Sequence, residues 1–185
     1  DFSGLKKILR DKDTRKFTMT VEYFPEEGKY HFDGHRNCNV CMSPEETKKN
    51  NSICPVCGRK LTIGVMNRVY ELSDRRYGEK PAKFIPFRRM VPLDQIIAGV
   101  LHKDTDSLSV RNKYIEIIER LGPEFSILLE LPEDALREKI DSDIADGICK
   151  VREGKINIVP GYDGEFGKVE IPCGTSKVED EQALF

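Results

Sequence analysis

Four cysteines in two pairs, Cys38-x2-Cys41 and, twelve residues further on, Cys54-x2-Cys57, constrain this chain more than any other feature. Two residues between cysteines let both sulfurs turn onto one point. A second such pair completes a tetrahedral thiolate shell, which zinc accepts without geometric strain. Gly58, directly after the last cysteine, permits the positive-φ turn of a zinc knuckle. One zinc ion held by Cys38, Cys41, Cys54 and Cys57 is the expectation, with an iron–sulfur centre or a disulfide arrangement as the alternatives. Four thiolates leave no open coordination position, so the ion is expected to build structure and not to catalyse. The few apolar residues between Val40 and Leu61 cannot form a core alone. Metal binding, on the order of 10–16 kcal/mol in isolated fingers, would supply the folding energy. His31 and His35, just upstream, read as hydrogen-bonded packing histidines at the base of the ribbon; the alternative is a fifth ligand or a phosphate contact. Cys149 and Cys173 are unpaired by spacing, and Cys149 beside Ile148 reads as buried apolar filler.

The 185 residues leave room for one medium domain or two small ones. Formal charge is only −2, so no global field drives the chain onto nucleic acid. The balance hides an asymmetry. From Arg59 to Met90 nine bases face three acids, and from Glu124 onward fifteen acids face seven bases. The basic stretch, with Arg59, Lys60, Arg68, Arg75, Arg76, Lys83, Arg88 and Arg89 and the interleaved Tyr70, Tyr77 and Phe87, is the candidate DNA-binding face. No run approaches the roughly 18 to 20 apolar residues of a membrane span, and the first residues lack the apolar core of a signal peptide. A cytoplasmic location is expected, where six cysteines are metal ligands and thiols more often than disulfides.

Along the chain, 3–10 reads as a short helix and Lys16–Phe24 as a strand, with Phe17, Met19, Val21 and Tyr23 alternating. Pro25–Gly28 is a turn. Gly78–Pro92, with three prolines, resists regular structure. Helical periodicity then takes over: Leu93, Ile96, Ile97, Val100 and Leu101, and after them Tyr114, Ile117, Ile118 and Leu121 up to Gly122-Pro123. Phe125–Leu131 is too short to assign by period. Pro132 with Glu133 and Asp134 opens another helix, and Ser142 is placed as the N-cap of a helix through Arg152. Ile156–Val159 and Lys168–Ile171 are expected strands around Pro160–Gly164, and the last dozen residues read as disordered. The segment Ile118–Leu136 followed by Asp143–Ile148 has the rhythm of a helix-hairpin-helix module, in which hairpin amides meet a phosphate.

Other motifs fail on inspection. Asp141–Gly147 misplaces its third acid for a calcium loop and has Arg152 where a bidentate glutamate belongs. Gly161-x2-Gly164-x2-Gly167 is a turn and not a dinucleotide fingerprint. No Ser/His/Asp set, Walker lysine or HExxH helix is present, so no catalytic residue is assigned.

Phe24–Arg36, the four cysteines and Leu61–Arg75 together resemble endonuclease Q and its bacterial PHP-domain relatives, and Arg152–Ile156 with Pro160–Gly167 extends the match over nearly the whole chain. The resemblance implies the zinc-binding and C-terminal helical region of an enzyme that nicks DNA 5′ to deaminated bases. It also implies a catalytic PHP-type domain elsewhere in the protein, and some relatives are fused to UvrD-like helicases. Such enzymes end in tails that bind a sliding clamp, and Gln182, Leu184 and Phe185 are similar to that peptide, although Glu181 stands where its first glutamine is expected.

The expected fold is therefore α+β, a small four-cysteine zinc ribbon followed by a mostly helical domain with a helix-hairpin-helix-like segment. Expected divisions are 1–30, closing helix and strand of a preceding PHP-type domain; 31–80, zinc-binding; 81–172, helical; and 173–185, a flexible tail. The expected function is DNA binding in a repair endonuclease. The alternative is a non-catalytic scaffold that docks a catalytic domain, a helicase or a clamp, and an autonomous hydrolase ranks last.

Overall fold

In the computed structural model, which describes residues 1–76 and 78–172, the helical periodicity of the second half becomes one apolar core. Helices α1 (Phe2–Asp11), α2 (Pro44–Lys49) and α3 (Val65–Leu72) lie in the first half. Five more follow: α4 (Leu93–Leu101), α5 (Leu108–Leu121), α6 (Glu124–Leu129), α7 (Glu133–Lys139) and α8 (Ser142–Glu153). α4 packs on α5 and α8, and α8 also carries α6 and α7. Leu93, Ile96, Ile97, Val110, Ile117, Ile127, Leu136, Ile144 and Ile148 are fully buried between them. Each such side chain contributes roughly 1.5–3 kcal/mol by leaving water.

Polar groups finish the helix ends. Glu124 accepts from the Leu93 N–H at 2.8 Å and from the Tyr114 hydroxyl at 2.9 Å, capping α4 from a distance. Arg152 donates to the Ile127, Leu128 and Leu131 carbonyls at 2.6, 2.8 and 2.6 Å, closing the C-terminus of α6. The apolar run at Phe125–Leu131 is mostly this helix, started by Pro123 and Glu124. The cap of α8 is Asp141 and not Ser142, which is the first helical residue. The Asp141 carboxylate pairs with Lys113 at 3.0 Å and makes no cap bond.

Among the described residues, six short strands form three two-stranded sheets: β1 (Thr20–Glu22), β2 (Asp33–His35), β3 (Val40–Met42), β4 (Phe87–Arg89), β5 (Asn157–Val159) and β6 (Lys168–Glu170). The strand expected over Lys16–Phe24 shrinks to β1, because its ladder extends only as far as β4 does. β4 itself arises in the proline-rich stretch expected to be irregular, in the window between Pro86 and Pro92. β1 and β4 run parallel, which joins the first thirty residues to the entrance of the helical half.

The β5–β6 hairpin places its connecting loop on the cysteine unit. Gly161 donates to the Glu26 carbonyl, Gly167 to that of Glu27, Gly164 to that of Lys29, and Phe32 to that of Gly161, at 2.8 to 3.0 Å. A Cβ at Gly161 or Gly167 would stand 2.5 or 2.1 Å from backbone oxygens, so this approach requires glycine. These contacts cross the boundaries expected at residues 30 and 80. No helix among the described residues is long and apolar enough to cross a membrane. Cys173 and the clamp-like Gln182, Leu184 and Phe185 lie outside the described residues.

Candidate metal centre

Two turns bring the metal-binding residues together. The first arm leaves β2 through His35, makes a tight helical turn at Arg36–Cys38, and reverses at Asn39, whose φ is 52°. The second arm is a hairpin: Cys54 N–H donates to the Arg59 carbonyl at 2.7 Å and Gly58 N–H to the Cys54 carbonyl at 2.9 Å. Gly58 takes φ 71°, the conformation for which glycine after the last cysteine was expected. Helix α2 spans the gap between the arms. Its Ser43–Glu46 capping box, with Ser43 N–H donating to Glu46 at 2.8 Å, fixes where that spacer starts.

His35, Cys38, Cys54 and Cys57 each present one donor atom, and these atoms all lie within 4.8 Å of one another. The Cys57 Sγ and His35 Nδ1 stand 3.3 Å apart. A tetrahedral ion with bonds of roughly 2.0–2.3 Å needs donors about 3.5–3.8 Å from each other, so the four could hold one metal ion, and a three-thiolate, one-imidazole set is compatible with zinc. Of the four, Cys54 is buried, His35 and Cys38 are half-buried and Cys57 is exposed.

Among the described residues the clustered donors differ from the expected set at one position: His35 joins Cys38, Cys54 and Cys57, and Cys41 lies outside the group. The cause is strand register. His35 faces Val40 across the β2–β3 ladder, whereas Cys41 faces Gly34. Directly opposed residues share a face and neighbours along a strand do not, so Cys41 is turned away from His35. The ring of Tyr162 occupies the Gly34 side. The signal available in the sequence was His35-x2-Cys38, the same two-residue gap that flagged the cysteines. His31 is the packing histidine expected, 8% exposed, and burial holds its ring below the usual imidazole range.

The thiols do not share one proton affinity. Burial works to raise Cys54, but the amides of Cys57 and Val56 and the His35 ring outweigh it and bring it down to about 6. Desolvation and the neighbouring Cys57 and Cys54 push Cys38 up to about 11. Crowding of sulfurs that cannot all ionise together is the electrostatic condition that a divalent cation relieves. Buried Asp33 supports the site from behind, accepting from Gly64 N–H at 2.6 Å and from the Asn67 amide at 2.7 Å, and so tying β2 to the start of α3.

The eight candidate DNA-binding cations divide. Arg59 and Lys60 close the second arm, Arg68 lies on α3, and Arg75, Arg76 and Lys83 follow it; all six are exposed. Arg68 and Arg75 carry exposed ion pairs with Glu71 and Asp74, which hold them only weakly. Arg88 donates to the Leu129 carbonyl at 2.9 Å, and half-buried Arg89 pairs with Glu26 and lies over the Phe24 and Phe87 rings. Arg88 stays exposed despite that bond, and Arg89 is half-buried. Tyr77 is outside the described residues.

Known proteins resemble this chain in sequence and in fold. Residues 92–155 match the family model described as the MJ0043 C-terminal domain. The chain is 33% identical over 169 residues to the uncharacterized protein MJ0043 of Methanocaldococcus jannaschii, covering 91% of this chain and 21% of that protein. It is 29% identical over 171 residues to the uncharacterized protein YqxK of Bacillus subtilis, covering 92% and 40%. The lesion-specific endonuclease PfuEndoQ from Pyrococcus furiosus superposes with a TM-score of 0.73 at 31% identity, over 87% of this chain and 40% of that one. Endonuclease Q in complex with a 27-mer duplex substrate, an abasic lesion at its active site, superposes with a TM-score of 0.70 at 31% identity, over 88% and 41%. The chain thus resembles a region of endonuclease Q and spans less than half the length of the proteins it matches.

Proposed function

We propose that this chain is the zinc-braced, DNA-contacting region of a repair endonuclease that acts at deaminated bases, with cleavage supplied by a PHP-type catalytic domain of the same enzyme. The observation that carries it is the likeness to a lesion-specific endonuclease over 87% of the chain. The chemistry of the site supports a bracing role. Three thiolates and an imidazole fill a tetrahedral shell, leave no position for water or substrate, and suit zinc as a structural ion. Arg59, Lys60, Arg68, Arg75, Arg76 and Lys83 would meet backbone phosphates without reading sequence. The short helices α6 to α8 would brace the duplex in the manner of a helix-hairpin-helix module, although Asp141 and Asp143 place acids at the last N-terminus.

Titration into labelled duplex DNA, with and without a deoxyuridine, at two salt concentrations tests this assignment. Four or so phosphate contacts predict an affinity loss on the order of 100-fold between 50 and 200 mM salt. No binding at low salt by zinc-loaded protein would sink it.

A second reading has its own support. On α1, Phe2, Leu5 and Leu9 are 77%, 55% and 47% exposed, and no residue of that helix is buried. An apolar stripe at helical spacing, exposed among the described residues, fits a scaffold that docks the catalytic domain. That reading predicts a stable complex with the catalytic domain added in trans and no affinity for DNA at moderate salt.

A further inference from the structure

The first arm of the metal centre carries two of the four donors, His35 and Cys38, on a single tight turn. It is held from outside by residues more than a hundred positions later. Asp163 Oδ2 accepts from the Arg36 N–H at 2.7 Å, between the two donors, and Asp163 Oδ1 accepts from the Thr62 hydroxyl. Thr62 in turn exchanges both main-chain hydrogen bonds with Gly34, at 2.8 and 2.9 Å. The Tyr162 hydroxyl donates to Asn39 Oδ1 at 2.9 Å, on the far side of Cys38. The Tyr162 ring fills the space a side chain at Gly34 would need, since a Cβ there would stand 2.4 Å from a ring carbon.

These bonds are not required to close the loop that makes them. Tyr162 and Glu165 exchange main-chain hydrogen bonds at 3.0 and 2.8 Å, which closes the turn without either side chain. Asp163 nevertheless sits at φ 43°, a left-handed conformation uncommon for a residue with a Cβ. That conformation accompanies a carboxylate bonded at once to the first arm and to the strand leading away from the second. Burial works to raise the Asp163 carboxyl, and the Thr62 hydroxyl and the Arg36 amide outweigh it and hold it low. It therefore stays an acceptor near neutral pH.

We propose that Asp163, assisted by Tyr162, is a positioning residue of the metal centre, which holds the His35–Cys38 arm where its donors meet Cys54 and Cys57, so that metal retention depends on the C-terminal hairpin. The proposal rests on the metal-centre assignment. It gives the Asp163 loop a role beyond a turn between strands.

The test loads the full chain with one equivalent of zinc and follows transfer of the metal to a chromophoric chelator. Outer-shell substitutions commonly cost 10- to 100-fold in metal affinity, so Asp163→Ala is expected to release zinc about 10- to 100-fold faster than the unaltered chain. Asp163→Asn should fall between, because its amide oxygen still accepts one bond. Thr62→Val should speed release in the unaltered background and add little to Asp163→Ala. Lys150→Ala, which removes bonds to the Pro172 carbonyl and to Asp146 far from the metal, is the control for general loosening. It should release zinc at the unaltered rate at a comparable loss of thermal stability. Zinc release unchanged in Asp163→Ala, or equally fast in Lys150→Ala, overturns the proposal. If Asp163→Ala does not fold, Thr62→Val and Tyr162→Phe read the same bonds. An unaltered chain that holds no zinc removes the metal centre itself, and the clamp with it; zinc held with unchanged release removes the clamp alone.

Discussion

The cysteine unit and the helical unit lie in one chain and are stabilised by opposite means. Helices α4 to α8 enclose nine fully buried aliphatic side chains. Between β2 and Leu61 the buried residues are few and mixed in character: Asp33, Ser43, Thr47, Cys54 and Leu61 among them. A core of that kind does not offset the roughly 1–2 kcal/mol of backbone entropy lost by each ordered residue. Specific bonds must do so: the capping box on α2, the Asp33 contacts, the Asp163 hydrogen bonds and, on the proposed reading, a metal ion at the His35–Cys57 cluster. The helical half should therefore tolerate small losses at many places, and the cysteine unit should fail at a few.

The largest expected effect breaks the comparison at its centre. His35→Ala, Cys38→Ser, Cys54→Ser or Cys57→Ser should each abolish stoichiometric zinc binding, since structural zinc is worth on the order of 10–16 kcal/mol in small domains. Metal analysis of purified protein measures this. Cys41→Ser should retain one equivalent; its loss would restore the four-cysteine set. In the helical half, Ile96→Ala or Ile148→Ala should cost about 2–5 kcal/mol in chemical denaturation while the folded protein keeps its metal. Arg152→Ala removes three hydrogen bonds at the end of α6 and is expected to cost about 3 kcal/mol.

Smaller effects sharpen the contrast. Ser43→Ala should cost about 1 kcal/mol through its cap. The Ser43 amide and hydroxyl hold the Glu46 carboxyl below its ordinary value. The folded pKa is the lower one, so this bond contributes above the ordinary carboxylate range and is lost as pH falls through the depressed value. The stability gap between Ser43→Ala and the unaltered chain should narrow at the acid end and not vanish, because the Glu46 N–H still donates to the Ser43 hydroxyl. Arg75→Ala and Arg76→Ala should change stability by less than about 0.5 kcal/mol, yet each should lower the salt slope of DNA binding by about one.

The helical half was legible because its signal is local: a period of 3.6 over Leu93–Leu101 and Tyr114–Leu121, with Gly122 and Pro123 to stop it. The second arm was legible for the same reason, as a cysteine pair followed by Gly58, whereas the first was read from Cys38 and Cys41 and only Cys38 joins the clustered donors. What escaped depends on partners distant in sequence. That His35 and not Cys41 joins the clustered donors follows from the β2–β3 register, and nothing in the spacing of four cysteines encodes a register. β4 exists because β1 lies beside it, about sixty-seven positions earlier in the paired residues Thr20 and Phe87. Arg88 and Arg89 look like free cations in a basic run, and only the fold brings the Leu129 carbonyl and Glu26 to them. The Ser43-x2-Glu46 capping box could have announced α2, but a helix of six residues has too short a period to find by hydrophobicity.

Hydrogen–deuterium exchange on the zinc-loaded chain, before and after chelation, tests most directly whether one half is built by metal and the other by a core. Chelation is expected to raise exchange in peptides covering 33–64 and 161–165 and to leave α4 to α8 protected. Protection lost throughout, or unchanged around the cysteines, would contradict the account.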